Sequence, residues 1–162
     1  MENYFKKLSA INVKGMAEKK GNFNYLSWAN AWSLIKESYP DAQRKVYESE
    51  QTELPYFTDG KTASVKVGIM VNGIEHIDYL PVMDYRNNSI PIAKITSMDV
   101  NTAIQRSTAK AIAMHGLGIA IFKGEDLVNI ASPKANVPKE PKKEITYTLK
   151  VGGDNWEKVL NY

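Results

Sequence analysis

Residues 61–83, KTASVKVGIMVNGIEHIDYLPVM, constrain the fold more than any other stretch. Val65, Val67, Ile69 and Val71 alternate with Ser64, Lys66 and Gly68, the period of a strand with one buried face. Asn72-Gly73 follows, a dipeptide suited to a type I′ turn, whose two central residues both need positive φ. Residues 74–83 then return as the partner strand. Pro81 cannot donate to a ladder, so the return strand ends, bulges or lies at an edge there. A hairpin with one apolar face must bury it, and the rest of the chain has to supply the cover.

Helices are the expected cover. In YLSWANAWSLIKESYP, Trp28, Trp32, Ile35 and Tyr39 fall on one helical face, with Ser27 as N-cap and Pro40 as the stop. A second helix is read in NTAIQRSTAKAIAMHGLGIAIF, residues 101–122 with a few before them. Asp99 caps it, or Ser97 does so with Asp99 favouring the positive end. On a wheel, Asp99, Thr102, Arg106, Lys110 and Ala113 share one face; Val100, Ile104, Ala111 and His115 lie opposite. Gly116 and Gly118 can end the helix, and the apolar run at 119–122 is read as a last strand. Residues 42–50 form a further strand of weak period.

The remaining segments punctuate this pattern. Residues 1–24, rich in Lys, Gly and Asn, read as a loosely structured N-terminal arm with room for a short helix. Residues 25–130 form the core domain. Residues 131–144, crowded with proline and lysine, read as a linker. The tail at 145–162 has room for a strand and a short helix but is too short for a domain. The expected class is α+β, an antiparallel hairpin or small sheet packed on a long helix.

Composition narrows the function. The chain has 162 residues, 43% of them hydrophobic, enough for one domain with a real core. A net charge of +3 permits an acidic partner without demanding one. With no cysteine, disulfides and thiolate metal sites are excluded. No stretch reaches the roughly 18 apolar residues of a membrane span, the N-terminus carries no signal-peptide pattern, and the expected setting is a reducing cytoplasm with no membrane partner.

Asp59-Gly60-Lys61-Thr62 imitates the end of a phosphate-binding loop. Pro55 stands where that motif needs its first glycine, and a strand follows where a helix should. A turn leading into the hairpin is the better reading, and no cofactor is expected. His76, Asp78 and Asp84 are the carboxylate-rich set that a metal-dependent nuclease would want, but their spacing matches no ligand pattern and solvated surface is the better explanation. His115, on the apolar helix face, reads as a core or interface residue. Arg106 and Lys110, one turn apart, either sit on a solvated polar face or grip phosphates, where an anionic partner would turn their mutual repulsion into attraction. Lys66 and Lys94 could join them. Arg44, with Lys45, and Arg86 are further candidates, and Tyr79 and Tyr85 could stack on bases or simply pack.

Three phrases go further: YLSWANAW, VNGIEHIDYLPVMDYRNNSIP and MDVNTAIQRSTAKAIAMHGLGIAIFKGEDL. In this order they resemble the phage Sak-type single-strand annealing proteins, part of a wider annealase group that includes the eukaryotic Rad-fifty-two recombination mediator. The resemblance spans about residues 22–128. It implies a hairpin or small sheet on one long helix, repeated around an oligomeric ring in the cytoplasm of a bacterial host. It also implies an ATP-independent recombinase, not a hydrolytic enzyme, that binds single-stranded DNA in a basic groove and pairs it with its complement. In that group basic residues of the long helix touch the DNA backbone, a role that Arg106 and Lys110 match here. The tail could dock a single-strand-binding protein or another phage or host protein, or pack on a neighbouring subunit. A plain single-strand coating protein is the alternative; a nuclease and a protein-binding module are the readings from other classes.

Overall fold

The computed structural model describes residues 3–20 and 23–122. The expected linker at 131–144, the tail at 145–162 and the end of the core domain at 123–130 lie outside the described residues. In chain order the elements are α1 (Tyr4–Ser9), β1 (Ala17–Lys20), β2 (Phe23–Leu26), α2 (Trp28–Ser38), β3 (Gln43–Val46), β4 (Phe57–Thr58), β5 (Ala63–Val71), β6 (Ile74–Pro81), α3 (Ser97–Met114) and α4 (Ile119–Phe122).

The hairpin forms as its sequence requires. β5 and β6 pair from Ser64 opposite Pro81 to Val71 opposite Ile74. Asn72 and Gly73 both take positive φ, +52° and +74°, as a type I′ turn demands. β6 ends at Pro81. On its other side, β5 pairs with β3 through Val67–Met70 and with β4 through Ala63 and Ser64. β5 is therefore the centre of a four-stranded antiparallel sheet, with β3 and β4 sharing one of its edges. β1 and β2 make a separate two-stranded ribbon, Ala17 opposite Leu26.

The alternation in β5 decides what lies on each face. Ala63, Val65, Val67, Ile69 and Val71 are all buried. They meet α3, whose buried positions include Val100, Ala103, Ser107, Ala111 and Ile112. The first half of α3 packs with Ala63, Val65, Leu80 and Val82. Its second half joins Ile69, Val71, Leu8, Leu34 and Ile35, bringing α1 and α2 into one cluster with the sheet. Each large aliphatic side chain so buried contributes about 1.5–3 kcal/mol.

Several local details differ from the sequence reading. The N-cap of α3 is Thr96, not Ser97 or Asp99: its hydroxyl accepts from the Asp99 backbone N–H, and the Asp99 carboxylate accepts from the Thr96 N–H. This reciprocal capping box satisfies two donors that would otherwise be orphaned at the helix end. The hydrogen bonds from Thr96 hold the Asp99 carboxyl below the usual carboxylate range. Ala113, read as part of the polar face, is buried. Residues 119–122 form the short helix α4 rather than a strand; after the positive-φ turn at Gly116 and Gly118, the Ile119 and Ile121 N–H groups donate to the Gly116 and Gly118 carbonyls instead of to a neighbouring strand. The N-terminal arm is also more structured than expected, because Asn3 caps α1 and Leu8 enters the core.

Gly116 explains how α1 docks there. Its φ is +110°, and a Cβ at this position would lie 2.7 Å from the Phe5 carbonyl oxygen. Only glycine offers both the backbone angle and the space. The preceding residue, His115, is fully buried at the C-cap of α3. Its Nε2 donates to the Ile69 carbonyl of β5 at 2.8 Å, which leaves Nδ1 to accept from the Tyr4 hydroxyl of α1 at 3.4 Å. Its ring also packs edge-on against His76 of β6, centroids 4.4 Å apart. One imidazole thus joins α1, β5, β6 and α3, and it does so in its neutral form.

Burial pushes the His115 pKa below its ordinary value of 6.5, with the neighbouring His76 adding to the effect against the opposing hydrogen bond to Ile69. The unfolded chain therefore binds this proton first as pH falls. The contribution to stability is complete above the unfolded pKa and is lost as pH drops from there towards the lower folded value. We expect the melting temperature to fall on acidification from pH 7.5 to 5.5, and the fall to be shallower in His115→Gln, although that variant starts lower at pH 7.5. Thermal denaturation across this range measures it; parallel curves for the two proteins would contradict the assignment.

Candidate nucleic-acid interface

The basic residues singled out in the sequence do not converge on one patch. Arg106 and Lys110 lie one turn apart on α3, both half-buried. The Arg106 guanidinium donates through Nη2 to the Asn87 side-chain oxygen at 3.1 Å. That contact pins the tip of the 82–91 connection to the helix. The tip is itself braced: Asp84 accepts from the backbone N–H groups of Arg86 and Asn88 through one carboxylate oxygen, and its own N–H donates to the Asn88 carbonyl. The hydrogen bond from the Asn88 backbone, the largest of these influences, keeps the Asp84 carboxyl below its usual range. Tyr85, at the apex, is 86% exposed, with the Arg86 guanidinium 5.1 Å from its ring centre. Arg106, Arg86 and Tyr85 therefore form one neighbourhood.

Lys110 has a structural task as well. Asp78 of β6 is buried against α3 and accepts from the Ser107 hydroxyl at 2.7 Å. Burial pushes the Asp78 carboxyl above its usual range, while Ser107 and the charge of Lys110 oppose that rise. The helix cation thus helps to hold a carboxylate inside the fold. Lys94 is exposed in the short turn preceding α3. From Ser97 at the helix start, Arg106 is about 13 Å along the axis at 1.5 Å per residue, so Lys94 is not part of the Arg106 neighbourhood. Arg44 sits apart, its guanidinium 5.7 Å from the Trp28 ring of α2. Trp28 and Trp32 line a shallow surface depression with Lys36 and Glu37.

Lys66 corrects the sequence reading most sharply. It was expected to extend the α3 patch, but its neighbours Val65 and Val67 face α3 and are fully buried, so Lys66 points from the opposite face of the sheet. The register places it in a row across three strands. Tyr47 follows Val46 beside it, the Tyr47 N–H donating to the Lys66 carbonyl at 3.0 Å, and Tyr79 lies opposite it on β6. The Lys66 ammonium is 4.3 Å from the Tyr47 ring centre and 5.6 Å from that of Tyr79. Lys45, two residues before Tyr47 on the same face, stands 4.4 Å from the Tyr47 ring centre. At exposed sites each such contact is worth about 0.5–1 kcal/mol, enough to bias where a lysine rests.

Gly68 makes this arrangement possible. A Cβ there would sit 2.1 Å from Glu75 Oε1 and 3.2 Å from Tyr47 Cε2. With only hydrogen at that position, the Glu75 carboxylate reaches across β5 and accepts from the Tyr47 hydroxyl at 2.7 Å. That hydrogen bond, the leading cause, raises the Tyr47 pKa above its usual value. Sequence reasoning missed Tyr47, Glu75 and the role of Gly68. Part of the row was legible: counting back from the Asn72-Gly73 turn sets Lys66 opposite Tyr79. The β3 register was not, because no two-residue turn joins β3 to its partner.

His76, Asp78 and Asp84 do not assemble. His76 packs on His115, Asp78 is bound to Ser107, and Asp84 closes a turn. Among the described residues no group of three or more His, Cys, Asp or Glu side chains is placed to hold a metal ion. Asp59 accepts from the Lys61 and Thr62 N–H groups, so the Asp-Gly-Lys-Thr stretch is the turn that leads into β5. Among the described residues no helix is long and apolar enough to cross a membrane.

The model of one protein family, Sak Single Strand Annealing Protein, matches residues 3–150 of the 162. The chain belongs to the Sak single-strand annealing family. No curated protein and no solved structure matches the chain at a significant level. Membership supports annealing of single-stranded DNA as the general activity, with DNA recombination as its setting. For a Sak protein, the two basic surfaces described above are the places where a polyanion could be met.

Ser107→Ala tests the internal tie that fixes α3 on the sheet. Leaving the Asp78 carboxylate without its hydroxyl partner is expected to cost about 1–3 kcal/mol, measured by urea denaturation. A change within about 0.5 kcal/mol, the range of ordinary surface substitutions, would contradict the role given to this pair.

Proposed function

We propose that this Sak protein is an ATP-independent recombinase that holds single-stranded DNA by its backbone and anneals it to a complementary strand. The family match carries this reading. It is supported by the braced Tyr85–Arg86 tip held by Arg106, which offers cations and an exposed aromatic ring at a fixed place. Arg106 and Lys110 are the backbone contacts on α3, with Arg86 beside Arg106; Lys94 before the helix and Arg44 beside Trp28 are separate, weaker candidates.

The physics needs no nucleotide. Lysine and arginine contacts to phosphate are independent of sequence and weaken with salt. Few contacts per subunit suffice when subunits are repeated, and we propose the ring-shaped homo-oligomer of the wider group as the working form. With the backbone held and base edges exposed, a second strand can test its pairing, and each stacked step formed returns about 1.4 kcal/mol. A single-strand-binding protein or another phage or host protein is the partner class proposed for the tail, and the bacterial host cytoplasm the setting.

Two complementary labelled oligonucleotides, mixed with the full-length protein without ATP or metal and followed by energy transfer, test the reading. Pairing is expected to run faster than the protein-free control and to lose that advantage at high salt. Arg106→Ala is expected to slow it and to reduce the salt dependence of binding by about 0.7 in log–log slope for one lost phosphate contact. Binding without acceleration would replace annealing by coating; no binding at low salt would overturn the reading.

A further inference from the structure

The open face of the sheet has chemistry that the α3 side does not explain. Tyr79 is 62% exposed and Met70 40%, although both lie on strands of the central hairpin. The transverse row Tyr47–Lys66–Tyr79 alternates ring, ammonium and ring across neighbouring strands spaced by about 4.8 Å. Lys45 adds a second ammonium above Tyr47. Tyr47 is not free to turn, because Glu75 binds its hydroxyl across the gap left by Gly68. Its ring serves as a fixed support for two lysines, whereas the Tyr79 ring is open to solvent.

We propose that this face is a second surface for single-stranded nucleic acid, in which a base stacks on Tyr79 while Lys66 and Lys45 take the flanking phosphates. Charge and shape favour this occupant over an apolar protein surface. Two ammonium groups buried against apolar side chains would lose their hydration without return, whereas a strand supplies a π-face for the ring and anions for the lysines. Glu75, held beside Gly68 by the Tyr47 hydroxyl, keeps its negative charge, but it is one carboxylate against the two ammonium groups of Lys45 and Lys66. Gly68 and Glu75 are positioning residues here. The inference rests on the proposed binding of single-stranded DNA, and it places part of that binding on the face of the sheet turned away from Arg106 and Lys110.

The test uses the full-length protein with two probes: a fluorescein-labelled oligo(dT) for affinity, and an oligo(dT) with one 2-aminopurine for stacking. Tyr79→Ala is expected to weaken binding about 5- to 150-fold, the equivalent of one lost base stack, and to reduce the change in 2-aminopurine fluorescence. Tyr79→Phe keeps the ring and is expected to retain both. Lys45→Ala with Lys66→Ala is expected to lower the log–log salt slope by about 1.4 for two phosphate contacts. Wild-type binding with all three variants unchanged would overturn the inference alone; absence of wild-type binding would overturn it together with the reading on which it rests. Loss of binding in Tyr79→Ala accompanied by a changed mass in solution would also overturn it, in favour of a contact between copies of the chain.

Discussion

The contact between α3 and the centre of the sheet controls the rest of the molecule. Where the helix crosses β5 and β6 it presents Ala103, Ser107 and Ala111, one turn apart and all buried. Small side chains bring helix and strands close, so the polar groups trapped between them must find partners there. They do: Ser107 binds Asp78, and His115 binds Ile69 at the far end. Neither tie tolerates slippage. A one-residue shift in the β6 register would carry Asp78 to the other face and break its bond to Ser107.

Fixing α3 on one face also fixes what is left exposed. The odd-numbered residues of β5 belong to the helix and the even-numbered ones to the other side, so Lys66 and Gly68 share that side with Tyr79 of β6 and Lys45 and Tyr47. The helix retains Arg106 and Lys110 at its margin, each with a neighbour inside the subunit: Asn87 for one, the Asp78 charge for the other. Cations that are oriented before a ligand arrives lose less freedom on binding, the general gain from preorganisation. For an annealing protein this has a further use. Affinity spread over several weak, salt-sensitive contacts holds a strand firmly overall, while any one contact can release when a complementary strand pairs.

The fold was legible wherever local chemistry and tertiary packing agreed. The alternation of residues 63–71, the Asn72-Gly73 turn, the Ser27 cap of α2 and the glycines after α3 were all read from a few neighbouring residues. The failures came where distant partners decide. Thr96 caps α3 because Asp99 completes a box with it, which outweighs the equally plausible Ser97. The burial of Ala113 and the helical turn at 119–122 depend on tertiary packing, such as that of α1 on Gly116, which is not visible in a local window. Lys66 and the α3 pair, pooled in one patch by the sequence reading, lie on opposite faces of the sheet. Assigning Lys66 to the opposite face from α3 needs only the strand period; recognising Tyr47 as its neighbour needs the β3 pairing, which arises from a long connection. The residues that carry the family resemblance also build the core, so they pointed to the fold and the general activity more surely than to the surface that meets DNA.

Lysine footprinting tests most directly the claim that nucleic acid is shared between the two faces. The full-length protein would be treated with an amine-acylating reagent, with and without oligo(dT), and each lysine scored by mass spectrometry. The account predicts that Lys45 and Lys66 on the sheet and Lys110 on the helix lose reactivity when the strand binds, whereas Lys6 and Lys7 of α1 keep theirs. Bound DNA that leaves Lys45, Lys66 and Lys110 as reactive as in the free protein would contradict it.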